Sequence, residues 1–75
     1  MKDIIIQELK NILESNQCFN KMIEIDNEVK ILKSKYSCSS TIETREMMNI
    51  YEILNQYKEY LEKVPEVDGI ILKFK

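Results

Sequence analysis

The side chains in this chain with the most to offer chemically are two thiols, Cys18 and Cys38, and three carboxylate pairs at helical spacing: Glu24 with Glu28, Glu43 with Glu46, and Glu59 with Glu62. A cysteine becomes a nucleophile or metal ligand as its thiolate, which needs a nearby base or cation. Carboxylates at i, i+3 or i, i+4 hold metal ions inside helical bundles, but such sites usually add histidine. The chain has no His and no Trp, so the commonest general base and every Ser-His or Cys-His pair are excluded. A single Gly excludes the glycine-rich loops that cradle phosphates. Two cysteines without histidine are too few for a zinc site. The carboxylate pairs read as solvated helix faces, and no catalytic, cofactor-binding or metal-ligating residue is assigned.

In a reducing cytosol both cysteines remain thiols, Cys18 as a small core residue and Cys38 as a loop thiol between serines that could crosslink two subunits under oxidation. If the two flank one helix of about twenty residues, their backbones stand roughly 30 Å apart, far beyond the roughly 7 Å that a disulfide tolerates.

The charge balance narrows the partners. A net charge of -2 with 32% charged residues of both signs fits a solvated surface and gives no basic face. Nucleic acid is an unlikely fit, because the helix that would read DNA carries Glu43, Glu46, Glu52, Glu59 and Glu62 against Arg45, Lys58 and Lys63. No segment reaches the apolar length of a membrane span, and Ile4 to Ile6 give way to Gln7, Glu8 and Lys10 before a signal-peptide core could form. The expected location is cytoplasmic. Lys outnumbers Arg ten to one and Ala is absent, a usage that fits an AT-rich genome such as those of low-GC bacteria, their phages and their plasmids.

The elements that would position these groups read as helices. Ile5, Ile6, Leu9, Ile12 and Leu13 share one arc of a helical wheel over residues 2–15, with Ile4 outside it. After a break near Asn16 to Asn20, the positions Cys18, Met22, Ile25, Val29, Leu32 and Tyr36 step by four and three like a heptad seam, predicting a helix over 18–36 that ends in Lys30, Lys33 and Lys35. Ser37 to Thr41 reads as a turn, with Ser40 in capping-box spacing to Glu43. A third helix over 41–64 then runs through Met47, Ile50, Leu54, Tyr57, Leu61 and Val64 to Pro65. Residues 67–74 carry a turn signal at Asp68-Gly69 and a short β-prone run. Its ladder partner would be the stretch before Asp68-Gly69 as a hairpin, the same strand of a second subunit, or another protein.

The expectation is therefore a mainly α single domain over 1–75: a compact three-helix bundle, or a helical hairpin plus an N-terminal helix, ending in a β-strand or hairpin. A chain of 75 residues buries little area to spare, which favours association with itself or a partner. With no catalytic groups, the function read from the sequence is a non-enzymatic protein-protein interaction module, a homodimer that also occupies a surface of a larger protein. A phage or mobile-element inhibitor or adaptor is one version. The alternative is a small dimeric DNA-binding transcriptional regulator. The candidate partner-binding residues are Met47, Met48, Tyr51, Tyr57 and Tyr60 on the third helix and Ile70, Leu72 and Phe74 on the terminal strand. No cofactor and no membrane are expected, and no motif names a family.

Overall fold

A computed structural model of the chain describes residues 1–34 and 38–75. Lys35 and Tyr36, at the end of the second expected helix, lie outside them, as does Ser37. The chain runs helix α1 (Lys2–Ser15), strands β1 (Phe19–Ile25) and β2 (Glu28–Lys33), helix α2 (Ser40–Gln56), and strands β3 (Leu61–Glu66) and β4 (Gly69–Phe74). The four strands form one antiparallel sheet in the order β1-β2-β4-β3. A mainly helical three-helix bundle is therefore not the architecture; two helices and an antiparallel sheet build an α+β layer pair.

The first helix forms where the apolar arc predicts it, burying Ile5, Ile6, Leu9 and Leu13 and leaving Ile4 exposed. The expected helix over 18–36 is instead a hairpin. Steps of four preserve the facing of a strand as well as of a helix, so the seam Cys18, Met22, Ile25, Val29 and Leu32 misleads wherever it steps by four. Asp26-Asn27 decides the matter: two residues that tolerate positive φ, with Asp26 at φ 50°, connect runs rich in β-branched residues.

The expected helix over 41–64 is also too long. It begins at Ser40, capped by Ser39, whose hydroxyl accepts from the Ile42 N–H at 3.3 Å, and ends at Gln56. Pro65 keeps residues 61–64 out of the helix, because its ring there would strike the carbonyl of Leu61 and it biases Val64 toward extended backbone. Residues 61–66 pair as β3, an edge strand where a missing N–H is tolerated. The β-prone ending becomes β4, which finds partners inside the chain: β3 as a hairpin, and β2 on its other side.

The two halves repeat one αββ order at an offset of 41 residues: Ser15 and Gln56 end the helices, Ile25 and Glu66 the first strands, Lys33 and Phe74 the second strands. Lys30 and its counterpart Ile71 are themselves ladder partners, so a pseudo-two-fold axis passes between them through the sheet.

Alternation assigns the two faces of the sheet. Val29 and Ile31 on β2, Ile70, Leu72 and Phe74 on β4, and Leu61 on β3 are buried with Ile50, Ile53 and Leu54 of α2 and the α1 stripe in one apolar core. Both helices therefore cover the same face. Gly69 is where β4 comes closest to β2: a Cβ there would lie 2.0 Å from the Ile31 carbonyl oxygen.

Candidate functional site

Among the described residues, one acidic side chain is buried. Glu46 is 3% exposed, and its Oε2 accepts from the Gln17 N–H at 2.6 Å while Oε1 accepts from the Cys18 and Phe19 N–H groups at 2.9 and 3.1 Å. Burial alone would raise its pKa, but the three backbone donors and the Arg45 charge outweigh that and hold it below the ordinary value. A carboxylate engaged by three backbone donors ties down the connection from α1 to β1.

That connection carries a second tie. Cys18 and Cys38 are joined by a disulfide, with their Cα atoms 6.2 Å apart. The expectation of two separate thiols is corrected here. It assumed an intervening helix, whereas the β1-β2 hairpin folds the chain back and returns Cys38 to Cys18. Crosslinking between subunits through Cys38 is not open to it while this bond stands. Two of the carboxylate pairs are parted, with Glu24 and Glu28 on opposite sides of the hairpin turn and Glu59 in the loop before β3, while Glu43 and Glu46 stay on α2 but engage Lys33 and the backbone N–H groups respectively. Among the described residues no three groups of His, Cys, Asp or Glu gather as a metal site.

The candidate partner-binding residues divide. Ile70, Leu72 and Phe74 point into the chain's own core, since β4 is a central strand covered by both helices. Helix α2 ends before Tyr57 and Tyr60, so the three tyrosines do not share one helix face. Tyr57 is partly buried, and its phenol hydrogen-bonds the Glu8 carboxylate, which raises its pKa. Tyr60 is exposed in the loop before β3. Met47, Met48 and Tyr51 do come together: with Phe19, Glu43 and Thr44 they line a shallow groove along α2, and Lys63 stands over the Tyr51 ring at 5.0 Å.

The larger surface went unread in the sequence. Ladder partners share a face, so three rows cross the helix-free side of the sheet in the order β1, β2, β4, β3: Ile25-Glu28-Lys73-Glu62, Ile23-Lys30-Ile71-Val64 and Lys21-Leu32-Gly69-Glu66. Ile23 and Ile25 are 44% and 51% exposed. Leu32, Val64 and Ile71 are half-buried by their own neighbours, and none of them packs against the core. Both ion pairs among the described residues lie on the other side, where Lys10 reaches Glu24 at 3.4 Å and Lys33 reaches Glu43 at 2.5 Å. The open face is thus an apolar diagonal set among three lysines, Lys21, Lys30 and Lys73, and three glutamates, Glu28, Glu62 and Glu66. A period-two signal over 19–25 and 28–33 could have revealed it, had Asp26-Asn27 been read as a turn.

The balance of charge on this face gives phosphate no basic stripe. The helix pair required by a three-helix DNA reader is absent from the fold, because residues 19–33 are strand and turn. Among the described residues no helix is long and apolar enough to cross a membrane. No protein-family model, curated protein or solved structure matches this chain.

Proposed function

We propose that this chain is a non-enzymatic interaction module that presents surfaces to other polypeptides, a second copy of itself and a larger protein, as a small inhibitor or adaptor of a phage or mobile element would. The observation that carries the reading is the four-stranded sheet with both helices on one side. Sheets of this size normally bury one face and solvate the other with polar residues. Here the solvated face holds Ile23, Ile25, Leu32, Val64 and Ile71 in adjoining positions, and contiguous exposed apolar surface of that kind marks interaction sites. The groove beside Met47, Met48 and Tyr51 is a second, smaller apolar surface on the opposite layer. Glu46, the one buried acid among the described residues, is engaged by three backbone N–H groups in a structural role, which supports a binding role over a catalytic one.

The test is affinity purification of the tagged chain from its native host, alongside Ile23→Ser/Ile71→Ser on the open face and Met48→Ser/Tyr51→Ser on the helix groove. The expected result is a protein retained in stoichiometric amount by the parent and lost with one of the two variants, each showing parental circular dichroism. An identical set of retained proteins for all three would refute the reading.

A further inference from the structure

We infer that the open sheet face pairs with the same face of a second copy about a two-fold axis parallel to the strands. The inference rests on the interaction-module reading and goes further by fixing the occupant and its register. Aligned packing of two sheets face to face keeps strand directions within about 30° and places the layers about 10 Å apart. A two-fold along the strands maps each row of the face onto the same row of the partner, which fixes the register along the strands, and full overlap of the two faces places the axis over the midline between β2 and β4. Strand β1 then lies over the partner's β3, and β2 over its β4.

In the first and third rows unlike charges meet directly, and in the first row Ile25 also lies over the second copy's Glu62. In the third row Lys21 faces the second copy's Glu66, and Leu32 faces the space above its Gly69. In the first row Glu28 faces its Lys73. In the middle row Ile23 meets Val64, and Lys30 lies over Ile71 with a long side chain that reaches diagonally toward Glu62. The three lysines and three glutamates of one face are all used, and the net charge of the face is zero. The other two-fold in the sheet plane, across the strands, fails the same comparison. It stacks Lys30 on Lys30 and Glu62 on Glu66, which would leave like charges desolvated together.

Lys21 and Glu66 are the telling pair. Both are exposed, neither is in an ion pair among the described residues, and three strand spacings, about 14 Å, separate them on opposite edges of one sheet. They meet only between copies. The area is sufficient: a face of four strands and six residues measures about 19 by 20 Å, and with side-chain relief it buries on the order of 1,200 Å² over both copies, within the range of specific interfaces.

The experiment is sedimentation equilibrium on the disulfide-bonded chain and on Lys21→Glu, Glu66→Lys, the double exchange, and Ile23→Lys, with circular dichroism confirming that each folds. Each single reversal turns two symmetry-related attractions into repulsions and should raise the dimer dissociation constant at least about ten-fold. The double exchange should return it to within about three-fold of the parent, and Ile23→Lys should abolish the dimer. A parent that stays monomeric at 100 µM, a concentration on the order of those at which weak specific pairs still form, overturns the inference. A dimer abolished by Ile23→Lys without rescue in the double exchange also overturns it. In either case the interaction-module reading stands or falls separately, on whether the open-face or the helix-groove variant loses its protein in the affinity purification.

Discussion

Glu46→Gln is the substitution that most directly probes what holds the first half of this fold in place. The carboxylate accepts three backbone hydrogen bonds, two on Oε1 and one on Oε2. Glutamine keeps the size but only one acceptor oxygen. Its better rotamer leaves that oxygen on the Cys18 and Phe19 N–H groups and turns the amide NH2 against the Gln17 N–H, donor facing donor. Losing one bond to a charged group costs about 1.5–3 kcal/mol, and the remaining two weaken once the charge is gone. The sum is about 2–4 kcal/mol, and at about 4–8 °C per kcal/mol for a domain of this size Tm should fall by about 10–30 °C.

The pH dependence gives the sign. Because the folded pKa of Glu46 is lowered, its charge contributes stability that is fully present above the ordinary glutamate pKa and lost as pH falls through the folded value. The gap between parent and variant should therefore be widest at neutral pH and narrow in acid. Urea unfolding from pH 7 down to pH 3, with the disulfide intact in both proteins, measures it. Equal stability at pH 7, or a gap that widens in acid, would refute the assignment of these three hydrogen bonds.

Reducing the Cys18–Cys38 bond opens a loop of 20 residues, and loop-closure entropy sets the loss at about 3 kcal/mol, read as a drop in urea midpoint on adding a reductant; an unchanged midpoint would exclude the disulfide. Gly69→Ala forces a methyl against the Ile31 carbonyl and should cost at least about 2 kcal/mol by the same assay, since backbone in a central ladder has nowhere to move; a cost under about 0.5 kcal/mol would show that β4 does not approach β2 this closely. Glu8→Ala removes the carboxylate whose hydrogen bond and charge raise the Tyr57 phenol, so one tyrosine in an absorbance titration at 295 nm should ionise at lower pH than in the parent, and Tyr57→Phe should abolish that difference.

What the sequence made legible follows from how each signal arises. A period of 3.6 over Ile5, Ile6, Leu9 and Leu13 has one structural meaning, and α1 lies where that pattern sits. A seam of alternating fours and threes has two meanings over a short stretch, and the choice depends on a turn whose only mark is Asp26-Asn27 without a glycine. Pro65 announced the end of a helix, but its steric reach extends back a full turn, which is why Leu61 belongs to a strand. Once those two elements changed type, the site changed with them. Ile70, Leu72 and Phe74 lie in the core, while the apolar residues of the open face, exposed Ile23 and Ile25 on β1 and half-buried Ile71 on β4, have the outward parity. The buried role of Glu46 had no local signal, because its three donors sit 27 to 29 residues away.

The repeat sharpens the case for a self-complementary face. At the offset of 41, Lys21 corresponds to Glu62 and Ile25 to Glu66, while the inward positions Leu9 and Ile50, Leu13 and Leu54, and Val29 and Ile70 keep their apolar character. The halves thus agree at these inward positions and differ at the outward corners, while buried Ile5 corresponds to Glu46 and outward Ile23 to Val64. With identical halves, the residue opposite Lys21 in a face-to-face pair would be a second isoleucine, and no charge would meet another at the edges. The divergence at Glu66 supplies the acid, on the edge strand farthest from Lys21 in its own sheet. A charge placed there has no cross-strand partner of opposite sign in its own row, since its ladder neighbour is Gly69; it acquires one when a second copy is laid over the sheet.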